Sequence, residues 1–195
     1  EAGEDPRVVG LIVKVGGALP YASMQQLRLG VKKFAASGKP TVAWAESFDR
    51  GVNLAAYALA TACAEVWLQP GGGIGPLGVG VETTFIRGTL DKLGIEPQFE
   101  QRHEYKNAAD VLTRKEMTPA HREALERLTA SVFDDAVDEI AADRKLDAGR
   151  LRELIDAAPL LANQARDAGL VDRLGYRDEA YAALRARVPA KAQLL

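Results

Sequence analysis

Short apolar runs recur along the chain without the polar alternation of a half-exposed strand. Runs of this kind are typical of strands that are buried on both faces of a parallel sheet. They predict strands at 8–15, 41–45 and 65–68, and a fourth strand is predicted at 95–101. Glycine or proline follows the first and third runs, at Gly16-Gly17 and Pro70, and ends those strands.

Apolar residues at helical spacing fill the intervals between the predicted strands. Leu27, Val31 and Phe34 predict one helix, with Arg28 on another, polar face. The longest amphipathic helix is predicted from 119 to about 142, with its charged positions forming a solvated face. Its apolar face consists of Leu125, Leu128, Val132, Ala136 and Ile140. Further helices are predicted at 51–64, 83–93, 148–156, 162–168 and 178–187.

The order of these elements and the composition together predict one α/β domain over residues 1–195. Strands that alternate with helices favour βαβ units and a parallel sheet. The 195 residues include 25 Lys and Arg against 27 Asp and Glu, which gives a net charge of −2. Because nucleic acids are bound through net basic surfaces, we expect no nucleic-acid partner. Cys63, the single cysteine, forms no internal disulfide and is predicted to be a small core residue.

The first residues of the chain differ from those of a complete precursor. The sequence opens with Glu-Ala-Gly-Glu-Asp-Pro, where a basic and then apolar leader would stand, and it has no initiating methionine. An apolar strand follows almost at once. We therefore interpret the 195 residues as a soluble piece excised from a longer protein.

Two patterns that can indicate a cofactor are present only in weak form. Residues 73–78 satisfy the dinucleotide pattern GxGxxG, but Pro76 lacks an N–H and the next helix is predicted to start near Glu82, too late to meet a pyrophosphate. His103 and His121, the only histidines, lack metal-ligand spacing and are interpreted as surface or loop residues. We therefore expect no metal, no cofactor and no histidine-dependent hydrolase site.

Lys106 lies just after the fourth predicted strand, beside Tyr105 and two alanines. A lysine at the end of a strand is usually a solvated cap. If it is removed from water, it loses its proton more readily and can act as a general base toward a serine. Residue pattern alone leaves both interpretations open.

The segment around this lysine carries a resemblance to a known family. The run Tyr105-Lys106-Asn107-Ala108-Ala109-Asp110, followed by Arg114 and Met117-Thr118-Pro119, resembles the Tyr-Lys-Ser-Ala-x-Glu-Pro-Phe…Arg…Met-Ser/Thr-Pro signature of bacterial signal peptide peptidase A, or protease IV. Further similarity is found at 57–70, 74–75, 90–95, 164–165 and 169–175. The resemblance covers about residues 40–178, and several motifs in the family's order make it specific.

The resemblance implies a Clp-protease/crotonase-like superhelix of repeated β-β-α units and a Ser-Lys dyad. In the long form of the family, the first of two related halves supplies the lysine and the second supplies the serine. Leu54 stands at the family serine position, so this chain matches the first half and holds no nucleophile. Lys106 matches the catalytic general base, with Tyr105, Asn107 and Asp110 as its supporting neighbours. Gly16 and Gly17 match the family's oxyanion loop and are expected to shape the substrate groove.

The resemblance also implies what the parent protein does and where. The expected partners are the C-terminal half of the same protein, further copies in a homo-oligomer, and substrates that are cleaved signal peptides or other unfolded apolar peptides. The parent is expected at the extracytoplasmic face of the cell membrane. An alternative is a non-catalytic assembly or peptide-binding module of the same fold. A third, an acyl-CoA enzyme of the crotonase fold, lacks a matching motif here.

Overall fold

The computed structural model describes residues 2–49 and 51–194. Its strands are β1 Leu11–Val15, β2 Thr41–Ala45, β3 Glu65–Leu68, β4 Gly73–Ile74, β5 Leu160–Leu161 and β6 Arg173–Leu174. Its helices are α1 Tyr21–Ala35, α2 Leu54–Thr61, α3 Arg87–Lys92, α4 Asp110–Thr113, α5 Pro119–Arg144, α6 Ala148–Asp156, α7 Ala162–Asp167 and α8 Arg177–Arg185. A 3₁₀ turn at Asn107–Ala109 leads directly into α4.

The chain divides into two compact units. The first unit contains the residues up to Gly78 and those from Asp135 onward, and the second unit contains Val79–Asp134. All six strands belong to the first unit, and the segment that carries Lys106 belongs to the second.

The first unit is built on a parallel sheet in the order β1-β2-β3-β6. Ile12 is in register with Val42, and Ala43 with Val66. A separate antiparallel pair joins β4 to β5, so the successive strands β3 and β4 enter different sheets before the chain reaches α3. The predicted α/β class is confirmed by this parallel sheet and the helices between its strands.

The fourth predicted strand is wrong. Residues 95–101 form no strand, and the side chains of Ile95 and Phe99 are 50% and 54% exposed. Pro97, in the middle of this segment, has no N–H for a sheet ladder. An extended segment without a partner strand or a buried face does not become part of a sheet.

The core of the first unit lies on β2, β3 and α2. Every residue of β2 and of α2 is buried, which explains why α2 is rich in alanine: small side chains allow its whole circumference to pack. The indole N–H of Trp44 donates to the Gly175 carbonyl oxygen at 3.1 Å. The hydroxyl of Tyr57 donates to the Leu170 carbonyl oxygen at 2.6 Å, and its ring packs edge-to-face on Phe48. Cys63 is buried, as predicted.

Helix α1 buries Val31 and Phe34 of the face that its sequence predicts, but not Leu27. Leu27 is 50% exposed, whereas Arg28 is only 7% exposed and lies on the buried face with Met24 and Val31. The Arg28 guanidinium donates to the Ala58 carbonyl oxygen at 2.8 Å and forms ion pairs with two carboxylates of α5. The expectation that Arg28 lies on a polar face is therefore wrong, because these acceptors compensate the burial of its charge.

The charged positions of α5 are also not uniformly solvated. The carboxylate of Asp143 is 5% exposed and lies 2.6 Å from an Arg28 nitrogen. On the same helix Ala136 and Ile140 are buried as predicted, but Leu128 is 59% exposed. A single sequence pattern thus describes only part of this 26-residue helix.

Glycines in the loop after β3 allow backbones to approach closely. A Cβ at Gly72 would overlap the Glu46 carbonyl oxygen, and a Cβ at Gly73 would lie 2.7 Å from the Leu160 carbonyl oxygen. Since these obstacles are backbone atoms, they cannot move aside as a flexible side chain can. The glycines are therefore explained by packing.

Replacing Gly72 by alanine is expected to destabilise the chain by about 3 kcal/mol, because the new methyl group must displace backbone. The measurement is the free energy of unfolding in urea. Gly71→Ala is the matched control: a Cβ there meets nothing within 4 Å, so the change should stay within about 0.5 kcal/mol. Equal effects of the two substitutions would contradict the packing explanation.

Candidate functional site

Lys106 lies at the start of a short turn in the second unit. It immediately precedes the 3₁₀ turn, and its backbone N–H donates to the His103 carbonyl oxygen at 2.9 Å. Its side chain is exposed. It borders an open hollow of about 470 Å³ that is also lined by Phe99, Glu100, Gln101, Arg102, Ala108 and Ala109. The amine is thus accessible, and within the described residues no burial separates it from water.

The three predicted neighbours of Lys106 differ in their surroundings. Tyr105 is 52% exposed, and its hydroxyl donates to a Glu123 carboxylate oxygen at 2.8 Å. This hydrogen bond to a carboxylate raises the pKa of Tyr105 above its ordinary value. Asn107 is half-buried at the beginning of the 3₁₀ turn. Asp110 is fully buried at the beginning of α4.

The buried Asp110 lies beside His121, whose predicted exposure is wrong. His121, predicted to be a surface or loop residue, is 6% exposed, and its Nδ1 lies 3.8 Å from an Asp110 carboxylate oxygen. The prediction is wrong because His121 is the third residue of α5, where its ring packs edge-to-face against Phe85. His103 is exposed in a loop, as predicted. The predicted helix from 119 already contained His121, and only its burial beside Asp110 and Phe85 was missed.

Gly16 and Gly17 lie in the first unit, just after β1. Both are exposed, and a Cβ on either would meet nothing within 4 Å. The loop that they begin is tied to α2 by the side chain of Asn53. Its Oδ1 accepts from the backbone N–H of Leu19 at 3.2 Å, and its Nδ2 donates to the Leu19 carbonyl oxygen at 2.8 Å. Sequence reasoning missed this role, although an asparagine before an alanine-rich helix is a recognisable capping signal.

The residue that the resemblance matches to the family serine lies in the core. Leu54, the first residue of α2, is 2% exposed. The Asn53 side chain also caps this helix by accepting from the Ala56 N–H at 3.0 Å. The helix start therefore carries an apolar side chain that packs inward and a backbone donor that is already paired.

Other candidate chemistry in the described residues has a structural explanation. Burial raises the pKa of the Cys63 thiol to about 12, which suppresses the nucleophilic thiolate at neutral pH. The helix after the GxGxxG match begins only at Arg87, well beyond the glycines. Over residues 2–49 and 51–194, no group of three or more His, Cys, Asp or Glu side chains could hold a metal ion. No helix in that part of the chain is both long and apolar enough to cross a membrane.

Comparison with solved structures finds weak similarity. A membrane-bound stomatin-specific protease, 1510-N, in a mutant form, superposes with a TM-score of 0.46 at 9% identity, over 96% of this chain and 91% of that one. An enoyl-CoA hydratase/carnithine racemase from Magnetospirillum magneticum gives a TM-score of 0.44 at 13% identity, over 95% of this chain and 58% of that one.

Comparison of the sequence gives similarity over nearly the whole chain. Serine protease SPPA, chloroplastic, from Arabidopsis thaliana is 25% identical over 189 residues, 96% of this chain and 27% of that protein. Protease 4 of Salmonella typhi is 26% identical over 184 residues, 89% of this chain and 29% of that protein. The chain thus spans less than a third of the length of these two relatives. The sequence profile of Peptidase family S49 matches residues 33–191. The resemblance predicted from the Lys106 segment is confirmed, and the chain belongs to peptidase family S49.

Proposed function

We propose that this chain is the lysine-donating half of a two-half serine peptidase, with Lys106 as the general base of a Ser-Lys dyad. The observation that carries the proposal is the contrast between two positions. Lys106 is retained in the signature segment with an accessible side chain, whereas the family serine position holds the buried Leu54. A chain with a base and no nucleophile matches one half of a divided site. The length of the relatives leaves room for a second half.

In the proposed reaction, the neutral Lys106 amine takes the proton of a serine hydroxyl supplied by the other half. The serine oxygen attacks the peptide carbonyl carbon, and the negative charge moves to the carbonyl oxygen. Backbone N–H groups beside the serine stabilise that oxyanion. The C–N bond then breaks, and the leaving amine takes the proton from Lys106. In the second stage Lys106 takes a proton from water, whose oxygen attacks the acyl carbon. The ester C–O bond then breaks, and Lys106 returns that proton to the serine oxygen.

The other predicted site residues take supporting roles in this proposal. Tyr105, Asn107 and Asp110 fix the turn that carries the lysine, while Gly16 and Gly17 shape the substrate groove. Their lack of side chains suits a groove, since a peptide backbone can approach the chain closely there.

The proposed substrates are cleaved signal peptides or other unfolded apolar peptides. Apolar surface beside the lysine, from Phe99, Ala108 and Ala109, supports this class. A relative from Enterococcus faecium, 24% identical over 188 residues, 93% of this chain and 52% of that protein, is provisionally named signal peptide peptidase SppA. We further propose that the parent is associated with the extracytoplasmic face of the cell membrane and forms homo-oligomers through this fold.

A second candidate is a non-catalytic assembly or peptide-binding module. The exposure of Lys106 favours it, because a fully hydrated lysine is a poor base at neutral pH. The two candidates make different demands on Lys106. The divided site requires that the other half covers the lysine and excludes water, whereas a binding module has no such requirement.

Labelling with a serine-directed fluorophosphonate probe tests the divided site. The full-length protein is expected to be labelled on a serine outside residues 1–195, and this chain alone is expected to stay unlabelled and inactive. Mass spectrometry of the labelled peptides locates the nucleophile. Labelling of Ser47 or Ser131 within this chain would contradict the proposal, and an unlabelled full-length protein without peptidase activity would favour the binding module.

A further inference from the structure

Asp110 is buried in a way that requires compensation. Its side chain is completely inaccessible, yet neither carboxylate oxygen has a hydrogen-bond partner among the described residues. A buried carboxylate without hydrogen bonds is costly unless opposite charge lies close by. Arg114 supplies such a charge, with its Nε 3.5 Å from one oxygen, and the His121 imidazole lies on the other side, with its Nδ1 3.8 Å from the second oxygen.

The two neighbours of Asp110 are not equivalent. The Arg114 side chain is 55% exposed, so water screens its charge. The His121 side chain is 8% exposed, and its Nδ1 also has no hydrogen-bond partner among the described residues. Because electrostatic interactions are stronger away from water, the buried imidazole is the more effective partner of the carboxylate.

His121 is itself held in place by the helix and by a neighbouring ring. Its backbone N–H donates to the Thr118 hydroxyl at 3.2 Å, and it is the third residue of the long helix α5. Its ring is held edge-to-face by Phe85, with ring centroids 6.1 Å apart. The Asp110–His121 contact therefore connects α4 to the start of α5.

The segment that begins at Lys106 depends on such a contact. The 3₁₀ turn of three residues and the four residues of α4 are far too short to be stable by themselves. Asp110 follows Lys106 by four residues, and its N–H donates to the Asn107 carbonyl oxygen. Fixing Asp110 thus fixes the backbone from which the lysine side chain projects.

We propose that Asp110 and His121 are a positioning pair, which holds the Lys106 turn against the start of α5 so that the amine meets its serine in one orientation. The proposal rests on the proposed function of Lys106. Neither member of the pair touches the reacting atoms. Their effect passes through the backbone between 106 and 110, and a displacement of about 1 Å at a reacting group can lower a rate about 100-fold.

A double-mutant cycle in the full-length protein tests the pair. Asp110→Asn and His121→Asn are each expected to lower kcat about 100-fold on an apolar peptide, with KM changed less than about twofold. The double variant should be no slower than the slower single variant, because either substitution already breaks the contact. Arg114→Gln is the matched control and should stay within about twofold of wild type, since that pair is screened.

A labelling experiment measures the reactivity of the Lys106 amine directly, and its readout does not depend on peptidase activity. Trace acetic anhydride acetylates neutral amines, and the acetylation of Lys106 is compared by mass spectrometry with that of Lys115, an exposed lysine of the same unit that is paired with Asp91. In the full-length protein, where the proposed second half covers Lys106, Asp110→Asn and His121→Asn should both lower the Lys106-to-Lys115 ratio about threefold, because a displaced amine returns to water. Arg114→Gln should leave the ratio unchanged.

Several outcomes would contradict the proposal that Asp110 and His121 position Lys106. These are wild-type kcat in Asp110→Asn, losses that multiply in the double variant, or an unchanged labelling ratio. Loss of cooperative thermal unfolding in both single variants would assign the contact to folding alone and also overturns the proposal. The failure of the proposed function looks different: an active Lys106→Ala protein contradicts the dyad. An inactive Lys106→Ala protein beside a fully active Asp110→Asn protein contradicts only the pair.

Discussion

Replacing Lys106 by alanine is expected to lower the kcat of the proposed full-length peptidase about 1,000-fold while leaving KM nearly unchanged. A positioned general base contributes about 10²–10⁴-fold to catalysis, and this substitution removes the only group to which the proposed dyad transfers the serine proton. The alanine leaves the backbone turn intact, because the hydrogen bond to His103 uses the main-chain N–H of residue 106. The measurement is steady-state hydrolysis of an apolar peptide.

Two further variants test whether Lys106 acts as a proton acceptor or only through its positive charge. Lys106→Arg keeps a positive charge but cannot give up its proton, so it should be as inactive as Lys106→Ala. Lys115→Ala removes another exposed lysine of the second unit and should retain activity. Wild-type turnover in Lys106→Ala would remove Lys106 from the mechanism. Substantial activity in Lys106→Arg would instead assign it an electrostatic role.

The parts of the fold that the sequence predicts correctly are those whose residues are buried on all sides. The strands β2 and β3 and the alanine-rich α2 are examples. Apart from Glu65 at the start of β3, which is only partly buried, the side chains in these segments are mostly apolar or small, so neither periodicity nor the choice of a face needs to be inferred. The family motif was equally local, since it depends on the order of neighbouring residues from 105 to 119.

The errors arise where a residue's environment depends on distant parts of the chain. Arg28 is buried because Asp143, 115 positions later in sequence, supplies its counter-charge. His121 is buried because Asp110 and Phe85 surround it. A polar residue type is normally evidence of exposure, and only the three-dimensional partner reverses that inference. The same reasoning explains why the predicted strand at 95–101 is wrong: these residues pair with no neighbouring strand in the described part of the chain.

The candidate site was predictable only in part. The roles of Lys106 and Leu54 come from motif positions and stay predictions, whereas the protonation of a lysine depends on what surrounds it. The exposure of Lys106 shows that this chain alone does not provide the dry environment that a lysine base needs. For a divided site this is the expected condition of one half.

Replacing Arg28 by leucine is expected to destabilise the first unit by about 3–5 kcal/mol, because it leaves the buried Asp143 carboxylate without its main partner. Arg28 nitrogens lie 2.6 Å from Asp143 and 3.2 Å from Glu139, and the two side chains of the Arg28–Asp143 pair are 9% and 5% exposed. Lys32 also contacts Asp143, but it is half exposed and cannot replace the buried guanidinium. The measurement is the free energy of unfolding in urea at neutral pH.

Two comparisons show whether burial is the cause of this effect. Adding Asp143→Leu to Arg28→Leu should restore most of the lost stability, because no uncompensated charge then remains and the site is apolar. Arg7→Leu breaks an ion pair with Asp5 of equal length, 2.6 Å, but the arginine is 88% exposed and water screens the pair, so the change in stability should be far smaller than that of Arg28→Leu. If Arg7→Leu and Arg28→Leu cost the same, the distance between the charges and not their burial would determine the energy. A double variant less stable than Arg28→Leu would mean that Asp143 contributes through its hydrogen bond to Thr61 rather than through the ion pair.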